Sequence, residues 1–163
     1  MHSKFVHLRL HSAFSLTEST LRISTLTKLV SEDSQPAAAI TDTNNMFGAM
    51  EFAQTMSTAG VQPIMGTQIE LVDKAGRGDV VLLAQNEVGY GNLSQLLSKI
   101  LLSNDSAQTP ACDIEDLACY SDGLILLTGG ALTGFVGGPA GDGRARLAQQ
   151  RLESLVAFMP GRL

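Results

Sequence analysis

Residues 37–48 read AAAITDTNNMFG, and this stretch sets the pattern from which the fold class can be argued. The apolar run 37–41 predicts a short buried strand, and Asp42 lies at its carboxyl end. The asparagines that follow can cap a helix predicted over 46–59. A buried strand followed at once by a helix is the unit from which α/β folds are built.

The same order of elements repeats along the chain. Apolar runs predict strands, and apolar residues at helical spacing predict helices. The predicted strands span 5–11, 37–41, 61–72, 80–84 and 124–128, and the predicted helices span 21–30, 46–59, 87–102, 114–120 and 144–159. This alternation favours an α/β fold with helices outside a mainly parallel sheet. Residues 103–112 and the glycine-rich stretch 129–143 are predicted to be irregular, and the latter lacks the Gly-Lys-Ser/Thr ending of a phosphate-binding loop.

Composition and charge narrow the possible classes of function. The chain has 163 residues, 44% hydrophobic and 17% charged, as expected for one domain with a buried core. Its net charge of −5 argues against direct DNA binding, which requires clustered lysine and arginine. The sequence contains neither an apolar run long enough to span a membrane nor a secretory signal pattern. Cys112 and Cys119 are too few for a disulfide framework, which together with the absence of these two patterns predicts a cytoplasmic protein. Because the two cysteines lack His or Cys partners, we expect no zinc site.

The first predicted strand has one polar face. Along residues 5–11, apolar side chains alternate with His7, Arg9 and His11. A polar face at the start of a domain suggests a wet cavity or a binding site. In folds of this class, sites lie where strands end, which directs attention to His11, to Asp42 and to residues 66–68.

Five segments of the chain carry a resemblance to a known family. Residues 5–21, 39–48, 63–68, 86–99 and 123–130 read FVHLRLHSAFSLTESTL, AITDTNNMFG, PIMGTQ, NEVGYGNLSQLLSK and GLILLTGG. In this order they resemble motifs of the PHP (polymerase and histidinol phosphatase) domains at the N-terminus of bacterial DNA polymerase III alpha subunits. The resemblance implies a partial PHP-type distorted β/α barrel, in which residues 1–163 supply the first half to two-thirds of the domain.

The resemblance also identifies the positions of a metal site. PHP hydrolases use a cluster of metal ions to activate water against a phosphoester. The corresponding positions here are Arg9, His11, Glu18, Asp42, Thr43 and Gln68. Arginine stays protonated and cannot ligate a cation, the threonine is a weak ligand, and the glutamine is a neutral substitute for a carboxylate. We therefore expect a degenerate site that holds no metal and has no catalytic residue.

Spacing limits what the remaining side chains can do. Residues two apart on a strand lie roughly 6.6 Å apart on one side, whereas His7 and His11 are separated by roughly 13 Å, so His7 cannot replace Arg9 as a ligand. We expect Arg9 to form an internal ion pair with the remaining acids rather than to be a solvated surface arginine. We expect His11 to be a hydrogen-bonded structural residue rather than a metal ligand.

The resemblance implies a role within a larger protein. The parent chain would copy DNA from nucleoside triphosphates with Mg²⁺, while this segment, which lacks the polymerase palm and fingers, would need no cofactor. Its expected partners are the rest of the polymerase chain and, by docking, the proofreading exonuclease and other replicase subunits. Because Leu163 matches the start of the next strand, we expect residues 1–163 alone not to form a stable monomeric barrel. The alternatives are an active metal-dependent PHP phosphoesterase or 3′–5′ exonuclease, and a standalone small binding protein.

Overall fold

In a computed structural model of the chain, residues 5–103 and 110–163 are described. Part of the predicted loop over 103–112 therefore lies outside the described residues. The chain divides into two compact units, Met1–Thr67 and Gln68–Leu163, which are taken in turn below.

The first unit is built from two helices and a parallel strand pair. Its elements are α1 (Ile23–Glu32), β1 (Ala37–Ile40), α2 (Ala49–Thr58) and the first residues of β2 (Gln62–Asp73). The register of the parallel pair runs from Ala37 opposite Gln62 to Ile40 opposite Met65. The apolar faces of both helices and of β1 form one core that includes Ile23, Leu26, Val30, Ala38, Phe52 and Met56. The predicted helices 21–30 and 46–59 and the predicted strand 37–41 are thus confirmed, with ends shifted by at most three residues.

The segment before α1 pairs with β1 but is not the continuous strand that the sequence predicts. The amide of Ala39 donates to the carbonyl of His7, and the amide of Thr41 donates to the carbonyl of Leu10, both at 2.8 Å. The two donors, Ala39 and Thr41, are two residues apart, whereas the two acceptors, His7 and Leu10, are three residues apart. The N-terminal segment therefore contains one extra residue, as in a β-bulge. An insertion of this kind breaks the alternation of side chains, and Arg9 is exposed.

The second unit has a strand hairpin at its centre. Its elements are the end of β2, β3 (Gly76–Ala84), α3 (Glu87–Ser103), β4 (Cys112–Asp113), α4 (Ile114–Cys119), β5 (Leu124–Leu127), α5 (Gly137–Gly141) and α6 (Ala145–Phe158). In the sheet, β3 lies between β2 and β5. β4 pairs with β2 in parallel, whereas β5 pairs with β3 in antiparallel fashion. The mixed α/β fold class is thus confirmed, with antiparallel pairing around the short β2–β3 connection, as tight hairpins require.

The glycine-rich stretch is more ordered than its composition predicts. It contains the short helix α5, and Gly134 forms a bridge with Asp79 at the edge of β3. Gly78 permits this contact, because a Cβ atom at that position would lie 2.5 Å from the Cα atom of Phe135. Phe135 is fully buried, so close backbone packing seats an aromatic side chain in the core of this unit.

The residues after α6 return to β5. The amide of Leu126 donates to the carbonyl of Arg162 at 2.8 Å, and the guanidinium of Arg162 donates to the carbonyl of Ser121 at 2.5 Å. The edge of β5 therefore has a backbone partner at this point. Among the described residues, none of the helices is both long enough and apolar enough to cross a membrane.

Candidate functional site

A buried carboxylate lies at the carboxyl end of β1. Asp42 is 1% exposed, and its Oδ1 accepts hydrogen bonds from the amide of Ser12 at 2.7 Å and from the hydroxyl of Ser15 at 2.6 Å. Its Oδ2 accepts a hydrogen bond from the hydroxyl of Ser12 at 2.7 Å. We call Asp42, Ser12 and Ser15 the Asp42 network. Both carboxylate oxygens thus have hydrogen-bond donors from the protein itself.

Backbone contacts hold the Asp42 network in place. Thr67 donates its hydroxyl proton to the carbonyl of Asp42 at 2.7 Å, and the amide of Thr43 donates to the hydroxyl oxygen of Ser15 at 3.1 Å. The amide of Leu10 donates to the hydroxyl oxygen of Thr41 at 3.0 Å. The segment before α1 and the segment after β1 are therefore joined by hydrogen bonds to side-chain oxygens in addition to the backbone hydrogen bond from Thr41 to Leu10.

A second chain of polar contacts lies nearer the surface. The Nδ1 atom of His11 lies 2.9 Å from Oε2 of Glu18, and the hydroxyl of Thr43 donates to the same oxygen at 2.7 Å. The side chain of His11 is 18% exposed and that of Glu18 is 39% exposed. The Nε2 atom of His11 is buried and has no hydrogen-bond partner among the described residues.

The structure brings four of the six predicted positions together. His11 and Thr43 both contact the same oxygen of Glu18, and the Ser15 hydroxyl connects Thr43 to Asp42. Arg9 is exposed and not enclosed in a cavity, because the extra residue in its segment changes the alternation of side chains; the expected ion pair of Arg9 stays a prediction. Gln68 belongs to the second unit, where it is buried.

The residues of the first unit do not fit a metal cluster. Across the described ranges 5–103 and 110–163, no group of three or more His, Cys, Asp or Glu side chains is placed to hold a metal ion. The oxygens of Asp42 face three protein donors at 2.6–2.7 Å, and Glu18 is engaged by its two neighbours. Carboxylate lone pairs directed at N–H and O–H groups are not available to a cation without rearrangement.

Ser12 and Ser15, the two serines that contact Asp42, are not among the site residues predicted from the sequence. Ser12 is fully buried and Ser15 is 1% exposed, although nothing in their composition distinguishes them from surface serines. The available signal is their position, because they follow His11 and flank Phe14 in a segment that must turn back before α1. Small hydroxyl side chains in such turns commonly bond to nearby polar groups.

A second buried polar cluster lies in the second unit and was also missed. Arg151 of α6 is 4% exposed, and its Nε and Nη2 donate to the two carboxylate oxygens of Asp73, each at 2.8 Å. Its Nη1 donates to the carbonyl of Phe135 at 2.9 Å, and the guanidinium lies 4.1 Å from the centre of that ring. The hydrogen bonds from Arg151 lower the pKa of Asp73.

Burial raises the pKa of the Cys112 thiol to about 12, so this thiol stays protonated.

Comparison with known proteins was made at the level of family, sequence and structure. The family model described as "PHP domain" matches residues 7–162. The DNA polymerase III subunit alpha of Caulobacter vibrioides is 42% identical over 134 residues, which cover 77% of this chain and 12% of that protein. The protein of the same name in Vibrio cholerae is 35% identical over 158 residues, covering 95% of this chain and 13% of that one. The chain thus spans about an eighth of the length of these curated relatives.

One solved structure supports the fold alone. The structure of an amidohydrolase from Chromobacterium violaceum superposes with a TM-score of 0.50 and 19% sequence identity. The match covers 58% of this chain and 32% of that one. At this level of identity the likeness concerns the arrangement of strands and helices and carries no statement about activity.

Proposed function

Because the chain belongs to the PHP domain family, we propose that it acts within a bacterial, cytoplasmic DNA polymerase III alpha-type protein as a structural and subunit-docking module. In this proposal the parent chain carries out template-directed DNA synthesis, as the names of the relatives suggest, and it uses Mg²⁺ to do so. The segment itself contributes no catalytic residue and holds no cofactor. Its partners are the rest of the alpha chain, the proofreading exonuclease and other replicase subunits.

The hydrogen bonding of Asp42 is the observation that carries the non-catalytic part of the proposal. A metal ligand keeps lone pairs for its cation, whereas the Asp42 oxygens accept three hydrogen bonds from Ser12 and Ser15. Charge-assisted hydrogen bonds of this length are strong. A buried carboxylate that is satisfied by protein donors has no need of a cation to offset its burial.

The replaced positions point in the same direction. Arg9 contributes a positive charge where the family has a histidine, and Thr43 and Gln68 contribute neutral side chains where it has a histidine and a glutamate. Each replacement removes a ligand for a divalent cation or a negative charge that would compensate one. We infer that Arg9, His11, Glu18, Asp42, Thr43 and Gln68 are the degenerate counterparts of the family's metal-site positions.

Metal content and hydrolysis test this inference together. The 163-residue chain, purified without chelator, is analysed for bound metals and assayed with a phosphodiester substrate in the presence of Mn²⁺ or Zn²⁺. We expect no stoichiometric metal and no metal-dependent hydrolysis. A matched variant that restores the family residues, Arg9→His, Thr43→His and Gln68→Glu together, is expected to bind more metal than the parent. Two or more tightly bound metal ions per unmodified 163-residue chain would contradict the proposal.

The second candidate is an active metal-dependent phosphoesterase, and one feature of His11 favours it. When Nδ1 of a histidine is held by a carboxylate, as His11 is by Glu18, the other ring nitrogen is oriented for a metal or a proton. The Nε2 atom of His11 is indeed without a partner in the described part of the chain. Phosphoesterase activity that is lost in His11→Ala would favour this candidate over the structural role.

A further inference from the structure

A groove in the second unit lies outside the site described above. It has a volume of about 690 Å³ and runs between the turn after β2, the start of α4 and one face of α6. Val72, Ile114 and Leu147 supply apolar surface, while Asp113 and Glu115 supply carboxylates. A concave site of this size that combines apolar lining with a few polar groups is typical of binding pockets.

Of the three carboxylates that line the groove, Asp73 is paired with Arg151, whereas the other two are not neutralised. Asp113 and Glu115 are exposed, and neither has an ion-pair partner among the described residues. In contrast, Asp116 of the same helix pairs with Lys99 at 2.6 Å. Arg151, the arginine among the described residues that line the groove, is buried and forms an ion pair with Asp73. Among the described residues that line the groove, Lys74 is the remaining cation, so unpaired negative charge there exceeds unpaired positive charge.

The walls of the groove are held in place before anything binds. Arg151 joins α6 to the end of β2 through two hydrogen bonds to Asp73, and it joins α6 to the glycine-rich stretch through the carbonyl of Phe135. The contact of the guanidinium with the ring of Phe135 adds a cation–π interaction. A preformed groove loses little conformational freedom on binding, which favours affinity.

We propose that this groove docks a peptide segment that presents apolar side chains flanked by lysine or arginine. The apolar side chains would lie against Val72, Ile114 and Leu147, and the basic groups would pair with Asp113 and Glu115. The proposal rests on the docking role proposed above and adds the chemistry of the partner. A second copy of this chain is a poorer occupant, because with 16 acidic and 11 basic residues it would bring like charge to the groove.

Titration with two matched peptides tests the proposal. Acetyl-Lys-Leu-Leu-Lys-amide and acetyl-Glu-Leu-Leu-Glu-amide are each added to the ¹⁵N-labelled 163-residue chain up to millimolar concentration and followed by NMR. We expect the lysine peptide to shift the amide resonances of Ile114, Glu115 and Leu147, with an affinity that falls as salt is raised. Neutralising Asp113 or Glu115 should weaken binding about two- to fivefold each, which is the size of an exposed ion pair.

A charge-reversal variant provides the control. The double variant Asp113→Lys, Glu115→Lys should prefer the glutamate peptide, whereas Glu87→Lys, an exposed acid on α3, should leave the original preference unchanged. Equal binding of both peptides, shifts confined to other surfaces, or no shifts at all would overturn the proposal. The metal and hydrolysis measurements do not involve this groove. Failure of the peptide-docking proposal can therefore be distinguished from failure of the proposed function.

Discussion

Removing the Ser15 hydroxyl is the sharpest test of the idea that Asp42 is held by the protein and not by a metal. In Ser15→Ala, Asp42 loses the donor at 2.6 Å, and the amide of Thr43 loses its acceptor at 3.1 Å. The change deletes a single oxygen at a position that is 1% exposed, so water does not readily replace it. The packing of the remaining atoms is left almost unchanged.

The expected cost follows from these two contacts. A hydrogen bond to a charged group contributes about 1.5–3 kcal/mol, and a partly buried amide that loses its acceptor, as that of Thr43 does, adds up to about 1 kcal/mol. We therefore expect Ser15→Ala to lower the free energy of unfolding of the first unit by about 2–4 kcal/mol. Ser57→Ala, an exposed serine on α2 in the same unit, should change it by less than about 0.5 kcal/mol.

Urea unfolding followed by circular dichroism, with and without a chelator, is the assay. If Asp42 is stabilised by Ser12 and Ser15, chelator has no effect, and Asp42→Asn and Ser15→Ala are coupled by about 0.5–3 kcal/mol in a double-mutant cycle. If Asp42 is a metal ligand, chelator alone should reproduce the loss caused by Asp42→Asn. The reasoning is refuted if chelator lowers the free energy of unfolding of the unmodified 163-residue chain. It is also refuted if the Ser15→Ala variant is as stable as the Ser57→Ala variant.

Three further predictions concern the second unit and the surface charge. The hydrogen bonds from Arg151 lower the pKa of Asp73 in the folded chain below its unfolded value near 3.8. The ion pair therefore contributes stability above pH 3.8, and this contribution is lost as the pH falls from 3.8 towards the folded pKa. In an acid titration of the free energy of unfolding, the Asp73→Asn variant should lack this loss. Cys112 should resist alkylation at neutral pH in the folded chain while the exposed Cys119 reacts, as measured by mass spectrometry; rapid labelling of Cys112 would contradict its burial. With a net charge of −5, the chain should bind DNA weakly or not at all in a fluorescence titration, and a salt-sensitive submicromolar affinity would contradict this.

The elements that sequence predicted well are those whose local pattern and tertiary role agree. Helix α3 was predicted over 87–102 and spans Glu87–Ser103, with Leu93, Leu96, Leu97 and Ile100 buried as their spacing requires. The short strand β1 was likewise evident, because alanines and isoleucine between polar segments are buried on both faces. In both elements the local pattern of apolar residues determines which side chains are buried. The element can therefore be predicted without knowledge of a distant partner.

The exposed position of Arg9 could not be predicted from the pattern of its segment. Alternation placed His7, Arg9 and His11 on one face, but an extra residue between the two backbone contacts changes the phase without leaving a mark in the composition. The buried position of Arg151 was equally hidden, because its partner Asp73 is 78 residues away. Long charged side chains on a helix are usually solvated, and only the fold supplies the carboxylate that makes burial tolerable.

The family motifs, in contrast, located the candidate site but not its chemistry. They identified His11, Glu18, Asp42 and Thr43, which the structure brings together, by their correspondence to metal ligands. The hydroxyls of Ser12 and Ser15 give Asp42 its donors without a cation, and this support is independent of Arg9 and Gln68. If the proposal holds, a fold that stabilises its buried carboxylate in this way tolerates replacement of the surrounding ligands, because hydroxyl and amide donors already join the segment before α1 to the end of β1. The same reasoning explains why restoring the family residues is a test of metal binding and the Ser15→Ala variant is a test of stability.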